Sequence, residues 1–132
     1  MKLDLRVQGK FSIQQAIKIE QIAKSIRHSF TDLIRELSEP HKSNLDWWVE
    51  GPASRNTFSS PLFHYCCCLV LVQNFLDEKT HISLIIVDSR AFKQILKDVL
   101  HNYGESTPVI FQNELKKELK TNLKIILGPL YY

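Results

Sequence analysis

The chain has 132 residues, 44% of them hydrophobic and 23% charged, with only four glycines and five prolines. Such a composition belongs to a globular fold and excludes collagen-like, low-complexity and disordered classes, while the length suits one core rather than two. A net charge of +3, from 17 basic and 14 acidic residues scattered along the chain, forms no block of the kind that recruits nucleic acid, so no nucleic-acid partner is expected.

The first ten residues, MKLDLRVQGK, lack the apolar stretch and small-residue cleavage site of a secretory signal. No apolar run approaches the roughly 20 residues that span a bilayer. A cytoplasmic protein is the expectation. Residues 3–7 alternate apolar and polar as L-D-L-R-V, the period of a half-buried strand. Ser12 followed by Gln15 is a capping-box pattern and opens a long amphipathic helix to Leu37. Its predicted seam is Ile19, Ala23, Ile26, Phe30, Leu33 and Leu37. A seam with alternating steps of four and three serves packing on a sheet, and it serves equally well as a dimer or partner surface. Glu39-Pro40 ends the helix, because proline excludes the residue before it from helical geometry.

A strand is expected over residues 46–49, around the two tryptophans Trp47 and Trp48, then a polar loop over 50–59 and a buried helix over 60–76. Ser60-Pro61 predicts that helix start, with serine as the cap and proline at the first helical position. The loop ahead of it holds Ser54, Arg55, Asn56 and Ser59. Free first-turn amides and the positive end of the helix dipole suit a phosphate, carboxylate or sugar hydroxyl there. A plainer alternative has Arg55 paired with Glu50 or Asp88, with Ser54 and Asn56 only turning the chain. Cys66, Cys67 and Cys68 follow inside the helix. Successive helical side chains diverge by about 100°, so these three read as reduced, packed thiols, and His64 with Cys67 or Cys68 supplies too few ligands for a metal.

Residues 81–87, HISLIIV, form the strongest strand pattern; its near-continuous apolar run predicts burial on both faces and therefore a parallel sheet. Asp88 or Ser89 is expected to cap a helix over 90–102 whose apolar face is Ala91, Phe92, Ile95, Leu96, Val99 and Leu100, with Gly104 just beyond its end. Asp88 also stands at the carboxyl end of a strand, where α/β proteins place acids that touch ligands. A short strand over 108–111 and a lysine-bordered helix over 113–127 complete the order. That last helix offers a peripheral contact for an anionic inner membrane face. Alternating strands and helices predict a single α/β domain over residues 1–132, Rossmann-like and three-layered, with a mostly parallel sheet of about four strands.

The order Trp47 or Trp48, Ser54-Arg55-Asn56, Ser60-Pro61-Leu62-Phe63, Cys67 and Val87-Asp88-Ser89 resembles the amino-terminal part of a bacterial surface carbohydrate biosynthesis family of glycosyltransferase-like proteins with two Rossmann domains. The resemblance covers positions 45 to 90 or so and includes no catalytic motif. It implies an amino-terminal domain or fragment that contributes acceptor or sugar binding, is inactive alone, and has as partner either a missing carboxyl-terminal domain or a second copy. Ser54, Arg55, Asn56, Ser59, Ser60 and Asp88 are then the candidate ligand-binding residues, with a sugar or glycan acceptor as ligand. No cofactor is expected, since neither GxGxxG nor GxxxxGK[ST] occurs. The competing expectation is a non-enzymatic α/β binding or regulatory module acting through the long first helix.

Overall fold

The computed structural model of the chain describes residues 1–44 and 61–114. They divide into two compact units, one formed by Met1–Arg6 and Ile82–Tyr132, the other by Val7–His81.

The first unit is built on a parallel sheet of β1 (Lys2–Asp4), β2 (Leu84–Val87) and β3 (Val109–Phe111), in that order, with β2 in the centre. Lys2, Leu3 and Asp4 lie opposite Leu84, Ile85 and Ile86, and Ile85, Ile86 and Val87 lie opposite Val109, Ile110 and Phe111. Successive β2 residues point to opposite faces, and Ile85, Ile86 and Val87 are all fully or almost fully buried, so both faces of the central strand are covered. The apolar run in the sequence predicts this arrangement. Among the described residues the sheet has three strands rather than about four; the expected strand over 46–49 lies outside them.

Between β2 and β3 runs helix α3 (Arg90–Asn102), which packs on both strands. Its N-cap is Ser89, whose hydroxyl accepts from the Phe92 amide at 3.2 Å. The buried line is Phe92, Leu96 and Leu100, a straight i, i+4 row, whereas Ala91 and Ile95 of the predicted face are exposed. At its carboxyl end the Gly104 amide donates to the His101 carbonyl and the Glu105 amide to the Leu100 carbonyl, with Gly104 at φ +72°. This paired reverse bonding is the Schellman arrangement, and glycine takes its left-handed position without steric cost.

The second unit pairs α1 (Ile13–Ser38) with α2 (Leu62–Asp77). Both halves of the predicted capping box are formed: the Gln15 amide donates to the Ser12 hydroxyl at 3.2 Å, and the Ser12 amide to the Gln15 side chain at 3.1 Å. A 3-10 turn, Glu39–His41, follows the helix at Pro40. Lys18, near the start of α1, bonds Glu78 just past the end of α2, while Phe30 meets Phe63 near the start of α2 edge-on at 4.9 Å. The two helices are therefore antiparallel. The buried positions of α1 are Gln15, Ile22, Phe30, Ile34 and Ser38. Leu33 and Leu37 of the predicted seam are 40% and 45% exposed, because a row with steps of four slants across the helix and leaves the step-of-three positions behind.

Helix α2 begins one residue later than predicted. Pro61 occupies the cap position itself, accepting from the Tyr65 amide through its carbonyl at 3.1 Å and providing no side-chain cap. Cys67, Cys68, Leu71, Val72, Phe75 and Leu76 are buried, a double row that makes α2 the apolar helix of its unit. Its end repeats the Schellman bonding of α3, with Thr80 donating to the Phe75 carbonyl and Lys79 to the Leu76 carbonyl, but Lys79 at φ 58° takes the left-handed position.

Candidate functional site

The carboxyl ends of β1 and β2 bring three charged side chains together. Asp4 is opposite Ile86, and the Leu5 amide donates to the Ile86 carbonyl at 2.9 Å, so the parallel pairing runs on past β1. The chain bends at Arg6, two residues past the last paired residue of β1, as Asp88 stands two residues past Ile86 in the other chain segment. At this bend Arg6 turns back on Asp4 with a two-pronged bond: Nε donates to Oδ1 at 2.8 Å and Nη2 to Oδ2 at 2.7 Å. The Arg6 amide adds a longer bond to Oδ1 at 3.3 Å. The Arg6 pKa is pushed up, first by the hydrogen bond it donates to Asp4, against a smaller cost of burial, and then by the fields of Asp4 and Asp88. A guanidinium paired with Asp4 thus lies within the field of a second carboxylate, Asp88, at the rim of a parallel sheet, where open α/β folds bind ligands.

Asp88 is the one predicted site residue that falls among the described residues. It lies directly beyond β2, half-buried, and the capping of α3 belongs to Ser89 instead. Ser54, Arg55, Asn56, Ser59 and Ser60 lie outside the described residues, as do both tryptophans. Sequence reasoning missed Asp4 and Arg6. Their signal was the alternation L-D-L-R-V, which sets both polar residues on one strand face; it reads as an ordinary solvated face until β2 and Asp88 are placed beside it.

Profiles of known protein families, curated proteins and solved structures were all compared with this chain, and none matches.

The cysteines do not form a reactive centre. All three are free thiols, with Cys67 and Cys68 buried. Burial pushes the Cys66 thiol up, and pushes Cys67 up to about 11 with a smaller contribution from Cys66 alongside. Thiolate, the nucleophilic and metal-binding form, is therefore suppressed. The Cys68 sulfur sits 3.4 Å from His64 Nε2, a local contact within one helix. Among the described residues no three His, Cys, Asp or Glu side chains converge as a metal site, and no helix is long and apolar enough to cross a membrane.

Proposed function

We propose that the chain binds a saccharide at the carboxyl end of its parallel sheet, as the acceptor-binding part of a glycosyltransferase-like protein of surface polysaccharide biosynthesis. The supporting observation is Arg6 paired with Asp4 and in the field of Asp88. Sugar hydroxyls are donors and acceptors at once, and a carboxylate beside a guanidinium offers one partner of each kind within a single hydroxyl pair. The resemblance of the 45–90 region to surface carbohydrate proteins points the same way. In this reading the chain orients an acceptor and no residue of it is assigned a bond-making role.

Ligand-observed NMR of the full chain with a panel of neutral and acidic oligosaccharides tests the proposal. At least one should show saturable binding that Asp88→Asn weakens by about tenfold, the worth of a lost hydrogen bond to a charged group. A chain that binds none of the panel, or binds it equally well after the substitution, contradicts the reading.

A second reading, a regulatory module acting through α1, is favoured by the exposure of Leu33 and Leu37, which stand one turn apart on the same side of the helix.

A further inference from the structure

Beside β3, in the sheet unit, an open cleft of about 330 Å³ is lined by Arg90, Lys93, Gln94, Lys97, Phe111 and Glu114. Nothing in the saccharide reading uses it. Arg90, Lys93 and Lys97 follow one another at i, i+3 and i+7, so a single face of α3 supplies all three cations to one wall. Among the described residues one acid lines the cleft with them. Glu114 is held by Lys93, with Nζ at 3.0 and 3.1 Å from its two oxygens, and its pKa is lowered first by that hydrogen bond, against a cost of burial, and then by the field of Lys93, a hydrogen bond to the Phe111 backbone and the field of Lys97. The cleft therefore carries an excess of two positive charges, and among the described residues neither Arg90 nor Lys97 has a carboxylate partner.

Arg90 is also pre-positioned. Its guanidinium lies over the Phe111 ring at 5.3 Å from the centroid, which fixes the side chain against an aromatic face. The five donors of a guanidinium lie in its plane, so stacking leaves them available at the edge. Behind Arg90 is the start of α3, where Ser89 takes the Phe92 and Lys93 amides and leaves those of Arg90 and Ala91 without intrahelical acceptors. The dipole of the helix adds to the positive potential at this end.

We infer that this cleft is a binding site for a small phosphomonoester. A phosphomonoester carries about −1.5 to −2 at pH 7, which matches two uncompensated cations, whereas a single carboxylate neutralises only one. Arg90 takes two phosphate oxygens in a fork, Lys97 neutralises the remaining charge, and Lys93 with Glu114 forms a fixed ion pair at the cleft's edge. The group carried by the phosphate rests along Phe111 and Gln94, in a volume at the lower end of the range for small-molecule pockets.

Isothermal titration of the full chain with phenyl phosphate, at low and moderate salt, tests the inference, with benzoate as the monoanionic control. Saturable binding is expected for phenyl phosphate, at least tenfold tighter than for benzoate, and Arg90→Gln or Lys97→Gln should each weaken it about tenfold. Both positions are exposed on α3, so the variants should keep the wild-type circular dichroism and melting curve. Lys10→Gln, which removes a lysine from the other unit, should leave binding unchanged. The inference is overturned by an absence of saturable binding, by equal affinity for phenyl phosphate and benzoate, or by a loss with Lys10→Gln as large as with Arg90→Gln, which would mark general charge attraction. Because Asp88→Asn leaves the cleft intact, saccharide binding and phosphate binding can fail separately.

Discussion

Lys79 carries a backbone conformation its neighbours impose. At φ 58° it closes α2 in the position that glycine fills for α3 at Gly104, and a residue with a β-carbon is strained there by about 1 kcal/mol. Lys79→Gly should therefore raise the unfolding free energy by about 1 kcal/mol in a urea titration; a loss would mean that the lysine side chain contributes more than its backbone costs. The same scale governs Cys67. Burial pushes its folded-state thiol up to about 11 from the usual 9.0, so the folded chain keeps this proton longer than the unfolded chain does. Stability from this group is complete below pH 9 and is lost as the pH rises toward 11, by about 2–3 kcal/mol. Denaturation midpoints measured from pH 8 to 11 should fall, and Cys67→Ala should flatten that slope. Neither property is legible in the sequence as such. A lysine after a helix does not announce a left-handed turn as Gly104 does, and the burial that protects Cys67 depends on tertiary packing.

Among the elements, helix starts and stops were the most legible because they depend on residues close in sequence. Ser12 with Gln15 caps α1 by the bonds the capping box requires, and Ser89 and Gly104 bracket α3; α1 stops at Ser38 as expected near Pro40, but Glu39 keeps right-handed helical angles within the 3-10 turn that follows, so proline does not act by excluding it from helical geometry. The Ser60-Pro61 expectation shifted by one residue, with Pro61 at the cap position. Buried faces were less legible. Both α1 and α3 bury a straight i, i+4 row, and the sequence pattern, which counts apolar residues in steps of three and four alike, could not separate the row that finds a partner from the one that does not. Leu33 and Leu37 were left outside in this way. Should they form a self-association surface, sedimentation velocity will show a concentration-dependent dimer that Leu33→Glu with Leu37→Glu converts to monomer. A wild-type chain that sediments as a monomer at every concentration removes the regulatory-module reading in its self-associating form.

At the scale of the molecule, the parallel sheet was readable from β2 alone, since only burial on both faces accommodates Leu84–Val87, and β2, α3 and β3 form the expected strand-helix-strand unit. The sheet unit returns at Ile82 after a long excursion of the chain from Arg6. That separation explains why the candidate site was only partly foreseen: Asp88 was visible as the acid after a strong strand, while Asp4 and Arg6 acquire meaning from a parallel register that joins distant parts of the chain. The tryptophans and the Ser54-Arg55-Asn56 run, the most conspicuous features of the sequence, lie outside the described residues. The most direct test of the proposed saccharide site is an NMR titration of the full chain with oligosaccharide, comparing wild type with Asp88→Asn at matched stability. Saturable binding weakened about tenfold by the substitution is the expected result; affinity unaffected by loss of the Asp88 charge, or no binding by the wild type, would contradict it.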